Sequence, residues 1–459
     1  MALSGLDIYK HLPKTNCKDC GFPTCLAFAM KLAAKQAELS LCPHVSEEAK
    51  QVLDAASAPP IRLIAVGTGD AKIEVGNETV LFRHDKTFFH EPGLFVRVKD
   101  NQPEAEVAKL VQTVAGYGVE RVGMNLRVNG FAVENASGDA QAFAKCVGLV
   151  KGKSNLALIL MAASPAAMDA ALAVAGPDKP LIYAATEDNW EAMVELAKKY
   201  QCPLAVRAKG EGGPSSSLEQ ALSALATLVE QVTKAGVADV VLDPGAKGLR
   251  ASLEAQTIIR RLAIRKNFRL LGFPTIVFAG EGADSPLEEA VNASQAIAKY
   301  AGFIVLDSFD PSLVYPLLTL RQNIYTDPQK PIQVKPDVYA FNEPKDSSPL
   351  LITTNFSLTY FTVAGEVEAS GVPTWLLIAD SEGLSVLTAW AAGKFDAEKI
   401  AKTVKGSGVS DKVSHRKLVI PGAISGLSGE IEEELAGWKV VVGPRDAVDI
   451  SPFLKSGKA

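Results

Sequence analysis

The chain has 459 residues, 47% of them hydrophobic and 22% charged, and a formal net charge of -5. That length exceeds one ordinary core and implies two or three globular domains. The acidic balance argues against a nucleic-acid partner, and the lack of any apolar run long enough to span a bilayer argues against a membrane one.

The first element is a cysteine-rich stretch, NCKDCGFPTC at 16–25, followed by Cys42-Pro43. It places Cys17, Cys20, Cys25 and Cys42 at the spacing C-x2-C-x4-C-x16-C. Four thiolates so close can close a soft-metal site, and two kinds fit: tetrahedral zinc or a [4Fe-4S] cluster. Structural zinc usually takes two close pairs of ligands, often with histidine. Three cysteines together, a fourth one helix later and a proline after it favour the cluster. Gly21 and Pro23 let the loop fold tightly enough for its backbone N–H groups to face sulfur. Thiolate ligands also need a reducing compartment, and the N-terminus shows no basic-then-apolar signal pattern, so the expected location is cytoplasmic.

Leu26 to Ser40 reads as an amphipathic helix with Leu26, Met30, Ala33 and Ala37 on its apolar side, bridging the third ligand to the fourth. Residues 1–58 are then a small cluster domain in which metal supplies much of the folding free energy. Ala55 to Pro60 reads as a linker, hinge or plain spacer. Residues 61–90 alternate between apolar and polar and carry turn signals, as strands covering the bottom of the next domain would.

From Gly93 to Gln322 a βα unit repeats. Its strand-like runs are 94–98, 121–126, 156–162, 181–186, 204–209, 239–243, 275–280 and 303–308, with helical patterns between them such as Glu104–Ala115, Trp190–Tyr200 and Ser217–Ala235. Eight nearly all-apolar strands predict a buried parallel sheet closed as a (β/α)8 TIM barrel over 61–322, with an open doubly wound sheet as the alternative. Asn125, Arg127, Lys209, Asp243, Asp307 and Asp310 fall at strand ends, where barrels build active sites, but they assemble into no acid/base pair or metal cluster and read first as caps.

Residues 323–348 are rich in proline and charge and read as a second linker. Over 349–459 the alternation resumes, with strands at 349–356, 373–380, 417–423 and 438–443 and helices at 357–370, 384–404 and 428–436. Four strands with crossover helices predict a small Rossmann-like domain, whose ligands bind beyond the C-terminal strand edges. Those edges carry Thr353, Thr354 and Asn355, then Asp380 to Gly383 with Ser381, then Gly422 and Ala423, then Gly443, Pro444 and Arg445. They are small, polar and glycine-containing, so a large ligand could approach the backbone.

Other signals fail. Gly148-x3-Gly152-Lys153-Ser154 is one residue short of a phosphate loop and follows a helix. Gly67-Thr68-Gly69 does not extend to a full dinucleotide fingerprint. The five histidines are scattered, although His44, two residues after Cys42, is placed to hydrogen-bond near the cluster. Cys146 and Cys202 sit in apolar surroundings as inert core thiols.

The cysteine stretch, the eightfold repeat and the segment ITTNFSLTY…GVPTWLLIADSEG together resemble the large (gamma) subunits of corrinoid/iron-sulfur proteins of the reductive acetyl-CoA pathway, over essentially the whole chain. The resemblance implies a methyl carrier with a cobamide in the C-terminal domain, set against a homologous small (beta) subunit. Co(I) would take a methyl group from methyltetrahydrofolate on a partner methyltransferase, and methyl-Co(III) would deliver it to CO dehydrogenase/acetyl-CoA synthase. The cluster, with a reductive activator as a further partner, would return Co(II) to Co(I). The corrinoid, not a protein acid or base, then supplies the nucleophile, so no catalytic residue is assigned. Many corrinoid modules carry D-x-H-x-x-G, whose histidine ligates cobalt. No such motif occurs here and His415 has the wrong neighbours, which implies a base-off corrinoid. The resemblance also puts Gly371, Val372, Pro373 and Thr374 under the corrin ring, with Thr374 nearest the cobalt. Two other functions stay open: an iron-sulfur electron-transfer protein without corrinoid, and an autonomous pterin-dependent methyltransferase.

Overall fold

A computed structural model of the chain describes residues 5–33, 37, 39–46, 49–50, 53, 59–122, 124–208, 218–326 and 332–459. By its contacts the chain divides into two compact units, Met1–Tyr117 with Val128–Tyr325, and Gly118–Arg127 with Thr326–Ala459.

The cysteine segment holds helices Gly5–His11 and Cys25–Ala33 and a 3-10 turn at Leu39–Leu41. The second helix buries Cys25, Phe28 and Ala29, while Leu26 and Met30 are exposed. The apolar face expected from Leu26 and Met30 is therefore the wrong one. The large Phe28 ring, tilted against Phe22 with centroids 5.3 Å apart, is buried with Cys25 and Cys42, so the cysteine-bearing side of the helix faces inward. Residues 34–36 and 38 of the expected helix, and 55–58 of the expected linker, lie outside the described residues.

The hairpin of β1 (Ile64–Val66) and β2 (Ile73–Val75) comes next, then β3 (Gly93–Lys99), which begins the barrel. The chain then forms helix Glu104–Ala115 and an antiparallel hairpin, β4 (Val119–Arg121) and β5 (Met124–Leu126). The barrel continues as β6 (Gly130–Glu134), β7 (Ala157–Met161), β8 (Leu181–Ala185), β9 (Leu204–Arg207), β10 (Val240–Asp243), β11 (Ile276–Phe278) and β12 (Phe303–Leu306). Their parallel order is β10-β9-β8-β7-β6-β3-β12-β11. A bridge between Leu242 and Thr275, with the Leu242 N–H donating to Pro274 O at 2.8 Å, brings β10 to β11 and closes the ring.

Alternate strand residues fill the interior, among them Phe95, Ala132, Ile159, Ala205, Val241 and Phe303, and the β1–β2 hairpin adds Ile64, Val66, Ile73 and Val75 to the same cluster. Each large side chain so buried contributes roughly 1.5–3 kcal/mol, which drives closure. The second barrel strand is GFAVE, not the expected RVGMNL. Gly130 admits the Phe95 ring, which would lie 2.5 Å from an added Cβ, whereas β4 and β5 are largely exposed and belong by contact to the other unit.

The second unit is a five-stranded sheet of β13 (Val338–Phe341), β14 (Leu350–Thr354), β15 (Thr374–Ala379), β16 (Lys417–Ile420) and β17 (Lys439–Val442), in the order β13-β15-β14-β16-β17. β13 is antiparallel and the other four are parallel. Leu350, Ile352 and Leu377 pack one face, Leu351, Leu376 and Val419 the other, as period-two alternation requires. The expected linker at 323–348 is mostly structured. Residues 323–325 end helix Pro311–Tyr325, Gln333 bridges Phe356, 338–341 are β13, and 327–331 lie outside the described residues. The helix expected at 384–404 is two, Val386–Ala391 and Ala397–Gly406, broken at Gly393 (φ 66°).

Candidate metal and cofactor sites

The cysteine loop has an unusual backbone. Lys14, Asn16 and Lys18 are left-handed at φ 61°, 50° and 72°, and Gly21 follows at 81°. Asn adopts this conformation readily, whereas Lys14 and Lys18 each cost roughly 1–2 kcal/mol there. The Cys25 N–H donates to Asn16 Oδ1 at 2.8 Å, and Thr24 Oγ1 caps the helix by accepting the Ala27 N–H at 3.0 Å. All four cysteines are free: Cys25 and Cys42 buried, Cys20 half-buried, Cys17 exposed. Cys20, Cys25 and Cys42 pack around Phe28. Among the described residues, the Cys17 sulfur, an Asp19 oxygen and a His44 nitrogen lie within 4.8 Å of one another. Beside Cys17, His44 Nε2 donates to Asp19 Oδ2 at 2.6 Å, and the His44 ring and Cys17 thiol hold the Asp19 carboxyl below its ordinary value.

At the C-terminal mouth of the barrel the interior changes from apolar to charged one step up the strands: Phe95 gives way to Arg97, Ala132 to Glu134, Ala205 to Arg207, Val241 to Asp243 and Val305 to Asp307. Arg97 pairs with Asp307 at 3.0 Å, Glu134 at 3.6 Å and Glu281 at 3.8 Å. The Tyr183 hydroxyl donates to Asp243 Oδ2 at 2.5 Å and accepts from Arg207 Nη1 at 3.0 Å. Burial pushes the Asp243 carboxyl up, with Arg207 and Tyr183 opposing. The cavity beside it is about 10 Å³, room for about one water. The charges pair with one another at ion-pair distance, although Arg97 Nε and Nη2 and Glu134 Oε2 are buried without a hydrogen-bond partner. Of the six strand-end residues expected from sequence, Asp243 and Asp307 join this ring. Asn125 lies on the β4–β5 hairpin, Arg127 follows it, and Lys209 lies outside the described residues. Asp310 accepts from Ser312 N and Oγ at the start of the last barrel helix. Sequence reasoning missed Arg97, Glu134, Tyr183, Arg207 and Glu281. For Arg97, Glu134 and Arg207 the available signal was a charge two positions beyond an interior residue.

In the C-terminal sheet, β14 runs on to β15 on one side, while β16 lies on its other side, so the topological switch point falls between β14 and β16. Their register holds only at Leu351–Val419. Beyond it lies a groove of about 150 Å³ lined by Thr353, Val363, Ala423, Gly443, Pro444 and Arg445 among others. The loops of β16 and β17 press together there: the Gly422 N–H donates to Pro444 O at 2.8 Å, and a Cβ on Gly422 would lie 2.5 Å from Gly443 O. The hydroxyl of Thr353, which lines the groove, is buried without a hydrogen-bond partner, an arrangement that a ligand with polar edges would complete. Asn355 is already satisfied. Its Oδ1 accepts from Ser381 N, Ser381 Oγ and Gly383 N at 3.0, 2.8 and 3.0 Å, so Asn355 and Ser381 fix the loops instead of offering free groups. Arg445 is exposed and makes no ion pair among the described residues.

The structure does not bring Gly371, Val372, Pro373 and Thr374 together with the strand-end residues. Gly371 (φ 67°) ends helix Ser357–Ser370, and Thr374 begins β15, fully buried, its hydroxyl donating to Val372 O at 2.9 Å. Six strand residues, about 20 Å, separate it from the C-terminal strand edges. His415 also sits at the far end of the sheet, with Nε2 donating to Ser348 O at 2.8 Å and Nδ1 accepting the Lys417 N–H at 3.2 Å.

A family model described as the CO dehydrogenase/acetyl-CoA synthase delta subunit matches residues 63–454, and one for an Fe-S cluster matches residues 12–44. The chain is 44% identical to the corrinoid/iron-sulfur protein large subunit of Moorella thermoacetica, over 100% of both chains. It is 36% identical to the acetyl-CoA decarbonylase/synthase complex subunit gamma of Methanopyrus kandleri, over 99% of this chain and 97% of that one. Among solved structures, a dihydropteroate synthase from Coxiella burnetii is similar at a TM-score of 0.40 and 11% identity, over 58% of this chain and 100% of that one.

Proposed function

Because the chain belongs to the family of corrinoid/iron-sulfur protein large subunits of the acetyl-CoA pathway, we propose that it carries methyl groups between partner enzymes on a base-off cobamide held in its C-terminal unit. The chemistry is the cofactors' own: the cobamide supplies a nucleophilic cobalt, and a [4Fe-4S] cluster supplies single electrons.

The observation that carries this reading is the groove between β14 and β16. Its glycine-backed loops let a wide ring approach backbone, and the buried hydroxyl of Thr353 lacks a partner that the amide fringe of a corrin could supply. Thr353, Ala423, Gly443, Pro444 and Arg445 would hold the cofactor, while Gly422, Asn355 and Ser381 shape the loops around it. No histidine stands at these strand ends, and His415 is occupied by backbone at the far end, which supports a cobalt without a protein imidazole. Cys17, Cys20, Cys25 and Cys42 would hold the cluster.

The barrel acts as scaffold, in keeping with its internally paired mouth. The remaining partners are a small subunit closing the open side of the groove, a methyltetrahydrofolate:corrinoid methyltransferase, CO dehydrogenase/acetyl-CoA synthase and a reductive activator. A model named for a delta subunit matching a chain whose relatives are gamma subunits is what two subunits of common build would give. The test is anaerobic: the complex with its small subunit is reduced, then mixed with methyltetrahydrofolate and the methyltransferase. A cobamide absorption spectrum that shifts on methyl transfer is expected. A complex with iron but no cobamide bands would leave an electron-transfer protein instead.

A further inference from the structure

We propose that Asp19, held in place by His44, is a positioning residue that lowers the reduction potential of the cysteine-bound cluster. The inference rests on the reading that the site holds a cluster, and it concerns two side chains that are not ligands in a four-cysteine set.

Asp19 lies in the ligand loop between Cys17 and Cys20, and His44 lies two residues beyond Cys42. The 2.6 Å bond from His44 Nε2 to Asp19 Oδ2 therefore joins the two stretches of chain that carry the ligands. The Cys17 sulfur, an Asp19 oxygen and a His44 nitrogen all lie within 4.8 Å of one another. An aspartate on so open a loop would otherwise swing into water. The imidazole fixes its carboxylate beside a ligand sulfur.

A fixed negative charge there opposes the arrival of an electron at the cluster. The oxidised form is favoured, the potential falls, and the reduced cluster becomes a stronger one-electron donor. Both side chains are about half exposed, at 48% for His44 and 52% for Asp19. Solvent and salt must therefore weaken the effect. An ordinary surface ion pair would leave the potential unmoved, which separates the two explanations.

The experiment uses the full chain in its complex, prepared anaerobically, with the variants Asp19→Asn, Asp19→Glu and His44→Ala. Iron content and the paramagnetic resonance signal of the reduced cluster establish loading, and a redox titration at low and high salt gives the midpoint. Expected are parental iron in all three, a higher midpoint for Asp19→Asn, a smaller rise for His44→Ala, restoration by Asp19→Glu, and smaller differences at high salt. Fully loaded Asp19→Asn and His44→Ala proteins with the parental midpoint would overturn the proposal. So would loss of iron from both, which would make the pair a clasp and not a tuning device. A parent without iron would sink the cluster reading itself, a result distinct from an unmoved potential in loaded protein.

Discussion

Leu351 and Val419 face each other across the two central strands of the C-terminal sheet, and among the described residues the parallel register between those strands holds at that pair alone. Above it β14 and β16 diverge into separate loops. The groove therefore follows from strand order, before any side chain is considered.

The orphan hydroxyl of Thr353 offers the first test. Thr353→Val keeps the shape and removes a buried polar atom without a partner. Cofactor-free protein should be as stable as the parent or more so, by up to about 1 kcal/mol. Cobalt retention should nevertheless fall. Denaturant unfolding of cofactor-free protein and cobalt analysis of loaded protein check both halves.

Two glycines distinguish the groove from the far end of the sheet. In Gly422→Ala the new methyl would stand 2.5 Å from Gly443 O, so the loops must part. A loss of roughly 1–3 kcal/mol and of cobalt should follow. Gly371→Ala meets nothing within 4 Å but is strained at φ 67°. It should cost about 1 kcal/mol and leave cobalt bound. Cobalt loss from Gly371→Ala, with the fold intact by circular dichroism, would return that loop to the site.

The barrel mouth makes a prediction about pH. Burial raises the Asp243 carboxyl, so the folded protein holds its proton more tightly than the unfolded chain does. The stability this contributes is fully present below the unfolded value of about 3.9 and is lost as pH rises through the higher folded value. The parent should therefore lose ground to Asp243→Asn as pH is raised from about 4 toward neutral. Paired denaturant titrations over that range read the difference. A parent that gained on the variant would mean that Arg207 outweighs burial.

Thiol chemistry separates the two classes of cysteine. Burial pushes Cys146 and Cys202 up to about 11, so at pH 8 about one in a thousand is thiolate. Iodoacetamide on iron-free native protein should label Cys17 first and leave Cys146 and Cys202 intact until denaturant is added. Mass spectrometry of the peptides checks the order.

Much of this was legible in the sequence because it rests on local rules. Seven of the eight barrel strands are apolar runs between turn signals, and helix Ser357–Ser370 stands where its pattern placed it. The exceptions have physical causes. RVGMNL alternates better than GFAVE, yet Met124 and Asn125 are exposed while Gly130 to Val133 are all buried, and burial is a tertiary property that a glycine-led five-residue run hardly announces. β13 was hidden in a proline-rich stretch because an edge strand tolerates what a central one does not. The groove residues were readable from strand ends. The distance of Thr374 from them was not, because it depends on which end of β15 it occupies. The Asp19–His44 bond joins residues 25 apart in sequence and could be found only in three dimensions.

The central claim is that one chain carries a cysteine-bound cluster and, in its C-terminal unit, a cobamide. Anaerobic metal analysis of the complex tests it most directly, run beside the same complex carrying Cys17→Ala in one preparation and Gly422→Ala in another. The account predicts about four iron and about one cobalt per large subunit in the parent, iron lost and cobalt kept in Cys17→Ala, and cobalt lost with iron kept in Gly422→Ala. Zinc in place of iron, or cobalt unaffected by Gly422→Ala, would contradict it.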